Sequence, residues 1–321
     1  MLDPALFHPD AIDPETKAFN AQLEELLAQV PPTHTQTPQA VRRAREEGRG
    51  WRGPILRSEK AVERRIPGPA GDIPLRCFFP DRIDGVYLHF HGGGWVLGAA
   101  DQQDQRLESL ANACHVAVIS VEYRLAPEHP YPAGPDDCEA AALWLAKSAT
   151  SEFGTDRLVI AGESAGAHLA VVSLLRLRDR HGLRPFVAAN LGYGVFDLRA
   201  TPSLRNWGDR NLILNTPVME WFFDHFVPPQ KRDDPDVSPL CANLSSMPKA
   251  LFTVGTLDPL LDDSLFMYAR WLAAGNQAEL AVYPGAVHGF TAFPIEIARR
   301  ALAREDAFIR DAVAQAQSAR A

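Results

Sequence analysis

The sequence predicts an α/β protein with a mostly parallel central sheet, flanking helices and a helical cap. Short apolar runs recur along the chain, and segments with apolar residues at three- and four-residue spacing lie between them. Parallel strands are buried on both faces, so they contain continuous runs of Val, Ile, Leu and Phe. Their alternation with helices is typical of βαβ units. Two regions that break the alternation predict the cap.

Each element is predicted from its own residues. The predicted strands are 85–90 (GVYLHF), 116–121 (VAVISV), 157–162 (RLVIAG), 250–255 (ALFTVG) and 278–283 (AELAVY). The predicted helices are 101–114, 134–149, 262–275 and a segment that follows Ser164. Gly275 suits the end of its helix, because a residue without a side chain readily adopts the left-handed C-cap conformation.

The regions outside the alternation define the predicted domain organisation. Residues 1–50 contain an amphipathic stretch and a proline-rich connector, and residues 197–239 are rich in aromatic residues and prolines. We therefore predict an α/β core of residues 51–196 and 240–321. The other two segments are predicted to pack together as a helical cap.

Composition excludes several classes of protein. The 321 residues are 46% hydrophobic and 22% charged, which is typical of a globular protein with a sizeable core. A net charge of -8 repels phosphates, so nucleic acid is not an expected partner. No run approaches the ~18 to 20 apolar residues of a membrane span. The first 20 residues lack a secretory pattern, and the four cysteines lack CxxC spacing, so we expect a cytoplasmic protein with reduced thiols.

The segment Gly-Glu-Ser-Ala-Gly places Ser164 at a turn between a predicted strand and a predicted helix. Gly162 and Gly166 leave room where the backbone is strained and neighbouring elements approach, so the hydroxyl is exposed at the end of the strand. The motif alone is also compatible with a serine that caps a helix. A catalytic serine needs a base, an orienting acid and donors for an oxyanion.

Three further segments match those needs. The glycines of His-Gly-Gly-Gly-Trp at 91–95 free backbone N–H groups to hold negative charge on a carbonyl oxygen. A phosphate-binding loop is disfavoured, because no Gly-Lys-Ser/Thr follows. Asp258 follows the strand 250–255, at the sheet edge that carries Ser164, and His288 lies in a loop after the last predicted strand. The order Ser, Asp, His is that of α/β-hydrolase triads.

These motifs, with Ser-Val-Glu-Tyr-Arg-Leu-Ala-Pro-Glu from residue 120 and Asp-Pro-Leu-Leu-Asp-Asp from residue 258, resemble the hormone-sensitive-lipase family of α/β-hydrolases. This is the bacterial esterase group with a His-Gly-Gly-Gly loop. The match runs in order over about residues 85–290. It implies the α/β-hydrolase fold and a serine carboxylesterase, active on short- to medium-chain esters, with a helical cap and without a cofactor or metal.

The resemblance also implies a role for each matching residue. Ser164 corresponds to the nucleophile, Asp258 to the acid and His288 to the base. The implied oxyanion hole consists of the N–H groups of Gly93, Gly94 and Ala165. The candidate substrate-pocket residues are Gly92, Trp95 and Glu163, and many relatives have Asp at the position of Glu163. The expected partner is a small ester, and a homodimer, common in the family, is left open.

Two alternatives to an esterase remain open at this point. The same acyl-transfer apparatus serves lactone, carbamate and amide hydrolysis. The plant gibberellin receptors resemble the family without being esterases, although such receptors typically lack the histidine that corresponds to His288.

Other candidates have weaker support. Asp262 and Asp263 compete for the acid role, but they precede a helix whose N-terminus attracts carboxylates. His89 and His91 alternate on a strand as a metal pair would, yet no nearby carboxylate completes the ligand set, so we expect His91 to order the glycine loop. Trp95 is equally compatible with a packing role, and His168, on the helix after Ser164 and pointing away from the turn, is expected to have a packing role.

Overall fold

The computed structural model describes residues 2–49 and 53–318. Within them, one sheet contains eight strands. These are β1 (Val62–Gly68), β2 (Gly71–Phe78), β3 (Gly85–Phe90), β4 (Val116–Val121), β5 (Leu158–Glu163), β6 (Phe186–Gly192), β7 (Lys249–Leu257) and β8 (Ala278–Val287). The spatial order is β1-β2-β4-β3-β5-β6-β7-β8. β2 pairs antiparallel with β1 and β4, and all strand pairs from β4 to β8 are parallel.

Helices cover both faces of this sheet. They are α1 (Pro14–Ala28), α2 (Pro38–Glu46), α3 (Asp104–Cys114), α4 (Ala133–Phe153), α5 (Ala165–His181), α6 (Pro202–Trp207), α7 (Thr216–Phe226), α8 (Leu261–Ala273) and α9 (Glu296–Ser318). Alternate residues of β3 point to opposite faces. Val86 and Leu88 pack in the hydrophobic core with α4 and α5, and Tyr87 packs in a second core with α3 and α9. The parallel sheet therefore has two apolar cores, which confirms the predicted fold class.

Strands β1, β2 and β6 were absent from the sequence prediction. β1 lies at the edge of the sheet and is largely exposed, and three of its seven residues are charged. β2 contains Pro74, and β6 contains the buried polar residue Asn190. Continuous apolar runs are typical of central parallel strands, and these three strands depart from that pattern.

The segments assigned to the cap contain α1, α2, α6 and α7. Part of the N-terminal segment contacts α7 through the short 3-10 helix Thr33–Thr35, and Glu24 pairs with Arg210 at 3.0 Å. The same segment also contacts the core, since Asn20 donates to the carbonyl of Gly285 at 2.8 Å. The proposed boundary between residues 50 and 51 lies outside the described residues, so the division into core and cap stays a prediction. No helix within the described ranges is long and apolar enough to cross a membrane.

A buried arginine on α5 joins this helix to α4 and to the segment between α7 and β7. Arg176 on α5 is 2% exposed. It donates to Asp236 at 2.7 and 2.5 Å, to Asp136 at 2.9 Å and to Glu139 at 3.1 Å. A buried guanidinium that is fully paired stabilises this arrangement, but removing it takes away the cation that these three carboxylates share.

We expect Arg176→Met to lower the free energy of unfolding by about 3 kcal/mol, because three carboxylates lose their shared cation. Arg180→Met is the matched control, since Arg180 contacts Glu139 but its side chain is 48% exposed. The control is expected to cost less than about 1 kcal/mol. Urea unfolding measures both, and equal losses for the two variants would contradict the assigned role of Arg176.

Candidate active site

Ser164 lies at the sharp turn between β5 and α5. Its backbone has φ 56° and ψ -119°, a conformation that costs a non-glycine residue about 1–3 kcal/mol. The neighbouring glycines make the turn possible, because a Cβ on Gly162 would collide with the backbone of Gly166, and one on Gly166 would collide with the carbonyl of Phe90. The turn holds the Ser164 hydroxyl at the carboxyl end of the parallel strands.

The structure brings Ser164, His288 and Asp258 into one hydrogen-bonded chain. His288 Nε2 lies 3.0 Å from Ser164 Oγ, and His288 Nδ1 lies 2.9 Å from Asp258 Oδ2. Asp258 is 1% exposed and His288 is 5% exposed. A carboxylate only accepts hydrogen bonds, so the Nδ1 atom carries the proton and Nε2 is free to accept the serine proton. This arrangement can activate a serine as a nucleophile.

Sequence reasoning missed a side chain that packs against the imidazole. Tyr193 follows β6, and its ring contacts the His288 ring edge to face at 5.0 Å. Its hydroxyl bonds to Thr291 at 2.8 Å, in the loop after His288. Because β6 was not predicted from the sequence, no local pattern pointed to Tyr193.

The glycine loop lies directly against this turn. Gly93 and Gly94 have φ values of 122° and 61°, which favour glycine, and a Cβ on Gly92 would lie 3.6 Å from the Cβ of Ser164. Among the hydrogen bonds of the described residues, none has the N–H of Gly93, Gly94 or Ala165 as its donor. Three backbone donors that flank one serine can stabilise a negatively charged oxygen.

Helix α7 contacts the glycine loop through aromatic rings. A Cβ on Gly94 would overlap the ring of Phe222 on α7, so this ring covers the loop. Trp95 is 2% exposed, stacks on Phe226 at 4.3 Å and donates its indole N–H to His168 at 3.1 Å. These are packing contacts, and a pocket role for Trp95 stays a prediction.

The position of His168 follows from that packing. Because its Nδ1 accepts from Trp95, its Nε2 donates, and the acceptor is the carbonyl of Val237 at 2.8 Å. Burial lowers the pKa of His168 to about 4, which keeps the ring neutral. The imidazole therefore links α5 to Val237, which agrees with the packing role expected for His168.

The expectation that no carboxylate approaches His89 was wrong. Glu163, from the neighbouring strand β5, lies 3.0 Å from His89 Nε2. His91 does not join them, since its ring stacks on Tyr123 and its Nδ1 donates to the carbonyl of Gly92 at 2.9 Å. No group of three His, Cys, Asp or Glu side chains with metal-site spacing occurs within residues 2–49 and 53–318. His91 thus orders the glycine loop, as expected.

The two aspartates after Asp258 bind the chain between β6 and the first turn of α6. Asp263 accepts the N–H groups of Phe196 at 2.6 Å and Asp197 at 3.0 Å. Asp262 accepts the N–H of Ser203 at 2.8 Å, in the first turn of α6. Both aspartates lie in the first turn of α8, as predicted, and the carboxylate of Asp262 also meets the first turn of α6.

The fold and the site define an α/β-hydrolase with a Ser-His-Asp arrangement, and comparison with known proteins narrows this class. A family model described as alpha/beta hydrolase fold matches residues 87–292. Carboxylesterase NlhH of Mycobacterium tuberculosis is 36% identical over 312 residues, which cover 92% of this chain and 94% of that protein. Ethyl acetate hydrolase of Pseudomonas putida is 34% identical over 229 residues, covering 68% and 71%.

Solved structures agree with these relatives. The hyperthermophilic esterase of the archaeon Pyrobaculum calidifontis has a TM-score of 0.83 and 30% identity, covering 94% of this chain and 99% of that one. EstE1, a thermostable carboxylesterase cloned from a metagenomic library, has a TM-score of 0.80 and 31% identity, covering 88% and 99%. The chain belongs to the esterase family that is related to hormone-sensitive lipase, within the α/β-hydrolase superfamily.

We expect Asp258→Asn to lower kcat by about 10⁴-fold, because an amide that donates to His288 favours the wrong imidazole tautomer. Asp262→Asn is the matched control from the same loop, and we expect it to retain kcat within about tenfold, since its carboxylate binds α6. Initial rates on p-nitrophenyl butyrate measure both. A larger loss of kcat for Asp262→Asn than for Asp258→Asn would show that Asp258 is not the acid.

Proposed function

We propose that this carboxylic ester hydrolase acts through an acyl-enzyme on Ser164, with His288 as base and Asp258 as orienting acid. The observation that carries the proposal is the continuous hydrogen-bonded chain from Ser164 Oγ through His288 to the buried Asp258 carboxylate. A serine that lacks such a base is a weak nucleophile. A helix-capping serine would need no such partner.

The proposed reaction has two halves that both use His288. In the first, His288 Nε2 takes the Ser164 proton as Oγ attacks the ester carbonyl carbon, and then gives this proton to the leaving alcohol oxygen. In the second, His288 takes a proton from water, which attacks the acyl carbon, and returns it to Ser164 Oγ as the acid leaves. Asp258 stabilises the positively charged imidazole in both halves.

The N–H groups of Gly93, Gly94 and Ala165 are proposed to hold the oxyanion of each tetrahedral intermediate. Their support is the close approach of the glycine loop to Ser164 and the absence of another acceptor for these donors in the described part of the chain. Loss of one such donor typically costs about 3 kcal/mol of transition-state stabilisation.

The proposed substrates are esters with short- to medium-length acyl chains. Phe222 covers the glycine loop at Gly94 and so limits the space next to the reacting carbonyl. Relatives named ethyl acetate hydrolase and acetyl esterase are similar to this chain over about two thirds of its length. Both the packing and these relatives favour a small acyl group.

A cytoplasmic location and a homodimer also stay proposals. The location is supported by the buried, unpaired thiols of Cys77 and Cys114, whose pKa burial raises to about 12. Unpaired thiols are typical of reducing compartments. Light scattering of the purified chain would measure its oligomeric state.

We expect Ser164→Ala to lower kcat on p-nitrophenyl butyrate by at least about 10⁴-fold, because the acyl-enzyme cannot form. Ser173→Ala is the matched control, since Ser173 is a buried serine of α5, the helix after Ser164, and its hydroxyl has no hydrogen-bond partner among the described residues. Mass spectrometry after treatment with a fluorophosphonate should find the adduct on Ser164 in the wild type and in the control. Retained turnover by Ser164→Ala, or an unlabelled wild type, would refute the proposal.

We expect Phe222→Ala to shift the preference toward longer acyl chains, because the ring no longer fills the space over Gly94. The ratio of kcat/KM for p-nitrophenyl octanoate to that for the acetate should rise by about tenfold. Phe223→Ala removes the neighbouring ring, which packs on Trp95, and should leave this ratio within about twofold. Equal ratios in the wild type and Phe222→Ala would exclude Phe222 as a wall of the acyl site.

A further inference from the structure

The contact between His89 and Glu163 joins the two strands that carry the proposed oxyanion donors. His89 is the penultimate residue of β3, which leads into the glycine loop, and Glu163 is the last residue of β5, which leads into Ser164. His89 Nε2 lies 3.0 and 3.1 Å from the two carboxylate oxygens. His89 is fully buried. The mechanism proposed above uses neither side chain.

The proton positions in this contact follow from its partners. The Glu163 carboxylate only accepts, so His89 Nε2 carries the proton that it donates. Its Nδ1 lies 2.9 Å from the hydroxyl of Ser120 on β4. Gln103 donates to the other side of the carboxylate at 2.9 Å. Glu163 therefore connects β5 directly to β3 and to Gln103, just before α3. Through His89, it also connects β5 to Ser120 on β4.

The charge on Glu163 is favoured by these contacts. Burial alone would raise the pKa of this carboxyl, but the neighbouring His89 ring and the donated hydrogen bonds of His89 and Gln103 outweigh burial, so the pKa is lowered. An ionised acceptor makes stronger hydrogen bonds than a neutral one. The contact is consequently a strong, directional link between the strands.

Backbone pairing cannot hold the loops beyond this point. The last rung between β3 and β5 joins Phe90 to Gly162, and past it the two chains diverge into the glycine loop and the serine turn. A Cβ on Gly92 would lie 3.0 Å from the carbonyl of Glu163, so the two chains remain close. Oxyanion donors must lie within about 2.7–3.1 Å of the charged oxygen, and a shift of ~1 Å can cost about 100-fold in rate.

We propose that His89 and Glu163 are a positioning pair that sets the distance between the glycine loop and the serine turn, and so aligns the two halves of the oxyanion hole. This inference rests on the proposed function of Ser164 and goes beyond it. It moves the Glu163 side chain from a substrate-pocket role to a link between strands. It also makes the length of the glutamate side chain important, because aspartate is shorter by one methylene group, ~1.5 Å.

Two substitutions at Glu163 separate reach from charge. Glu163→Asp keeps the charge but withdraws the carboxylate from His89, and we expect kcat on p-nitrophenyl butyrate to fall about 10- to 100-fold with KM within about twofold. Glu163→Gln keeps the length and one acceptor oxygen, and we expect it to retain kcat within about fivefold. Affinity for a trifluoromethyl ketone, which forms a tetrahedral adduct on serine, should fall in parallel with kcat.

The partner residue and a matched control complete the test. We expect His89→Ala to match Glu163→Asp, and the double variant to be no more than about threefold worse than either single variant, because the two act as one unit. Tyr87→Phe is the control, since its hydroxyl accepts from Asn190 at 3.2 Å on the same face of β3, two residues earlier. This control should keep kcat within about twofold. If His89→Ala does not fold in urea titrations, the two Glu163 variants decide the proposal.

The outcomes distinguish this pair from the proposed function. An active wild type, labelled on Ser164 by a fluorophosphonate, with unchanged kcat in Glu163→Asp would overturn the positioning role alone. A change in the KM of Glu163→Asp without a change in its kcat would also overturn it. The same would follow if Glu163→Asp and Glu163→Gln lowered kcat by equal factors. An unlabelled wild type, or full turnover by Ser164→Ala, would instead refute the catalytic role of Ser164.

Discussion

The close approach of the ends of β3 and β5 is the constraint on which the site depends. At Gly162 and Gly166 the backbones of the serine turn and of β3 are too close for any side chain, and Gly92 lies against the same turn. Ser164 tolerates its strained conformation only because these neighbours leave it no other. The half-buried Ser164 side chain, the glycine loop and the His89–Glu163 contact are all consequences of two parallel strands that end side by side.

The remaining parts of the site come from strands further along the sheet and from the segment between β6 and β7. β7 and β8 place Asp258 and His288 at the same edge, since the carboxyl ends of parallel strands meet there. Asp263 on α8 accepts the backbone N–H of Phe196, and Arg176 on α5 donates to Asp236. Residues 196–236 are therefore held at both ends by buried side chains on the helices that follow the site residues.

Local sequence predicted the parts of the site that depend on short segments. The glycines around Ser164 and in residues 91–95 have sequence signatures because only glycine fits their conformations. Asp258 and His288 were located because each follows a predicted strand. In contrast, the contacts of Glu163 with His89, of Phe222 with Gly94 and of Tyr193 with His288 join distant segments, and no periodic pattern encodes such pairs. The missed strands lack the continuous apolar pattern of a central parallel strand, since β1 is exposed and β6 carries a buried asparagine.

The central claim is that Ser164 carries the acyl group during turnover. It is tested most directly by acid-quenching the enzyme during hydrolysis of p-nitrophenyl butyrate and mapping its peptides by mass spectrometry. The account predicts one butyryl group on the peptide that contains Ser164, formed as fast as the first equivalent of p-nitrophenol is released. Turnover without any acylated peptide, or with the butyryl group on another residue, would contradict it.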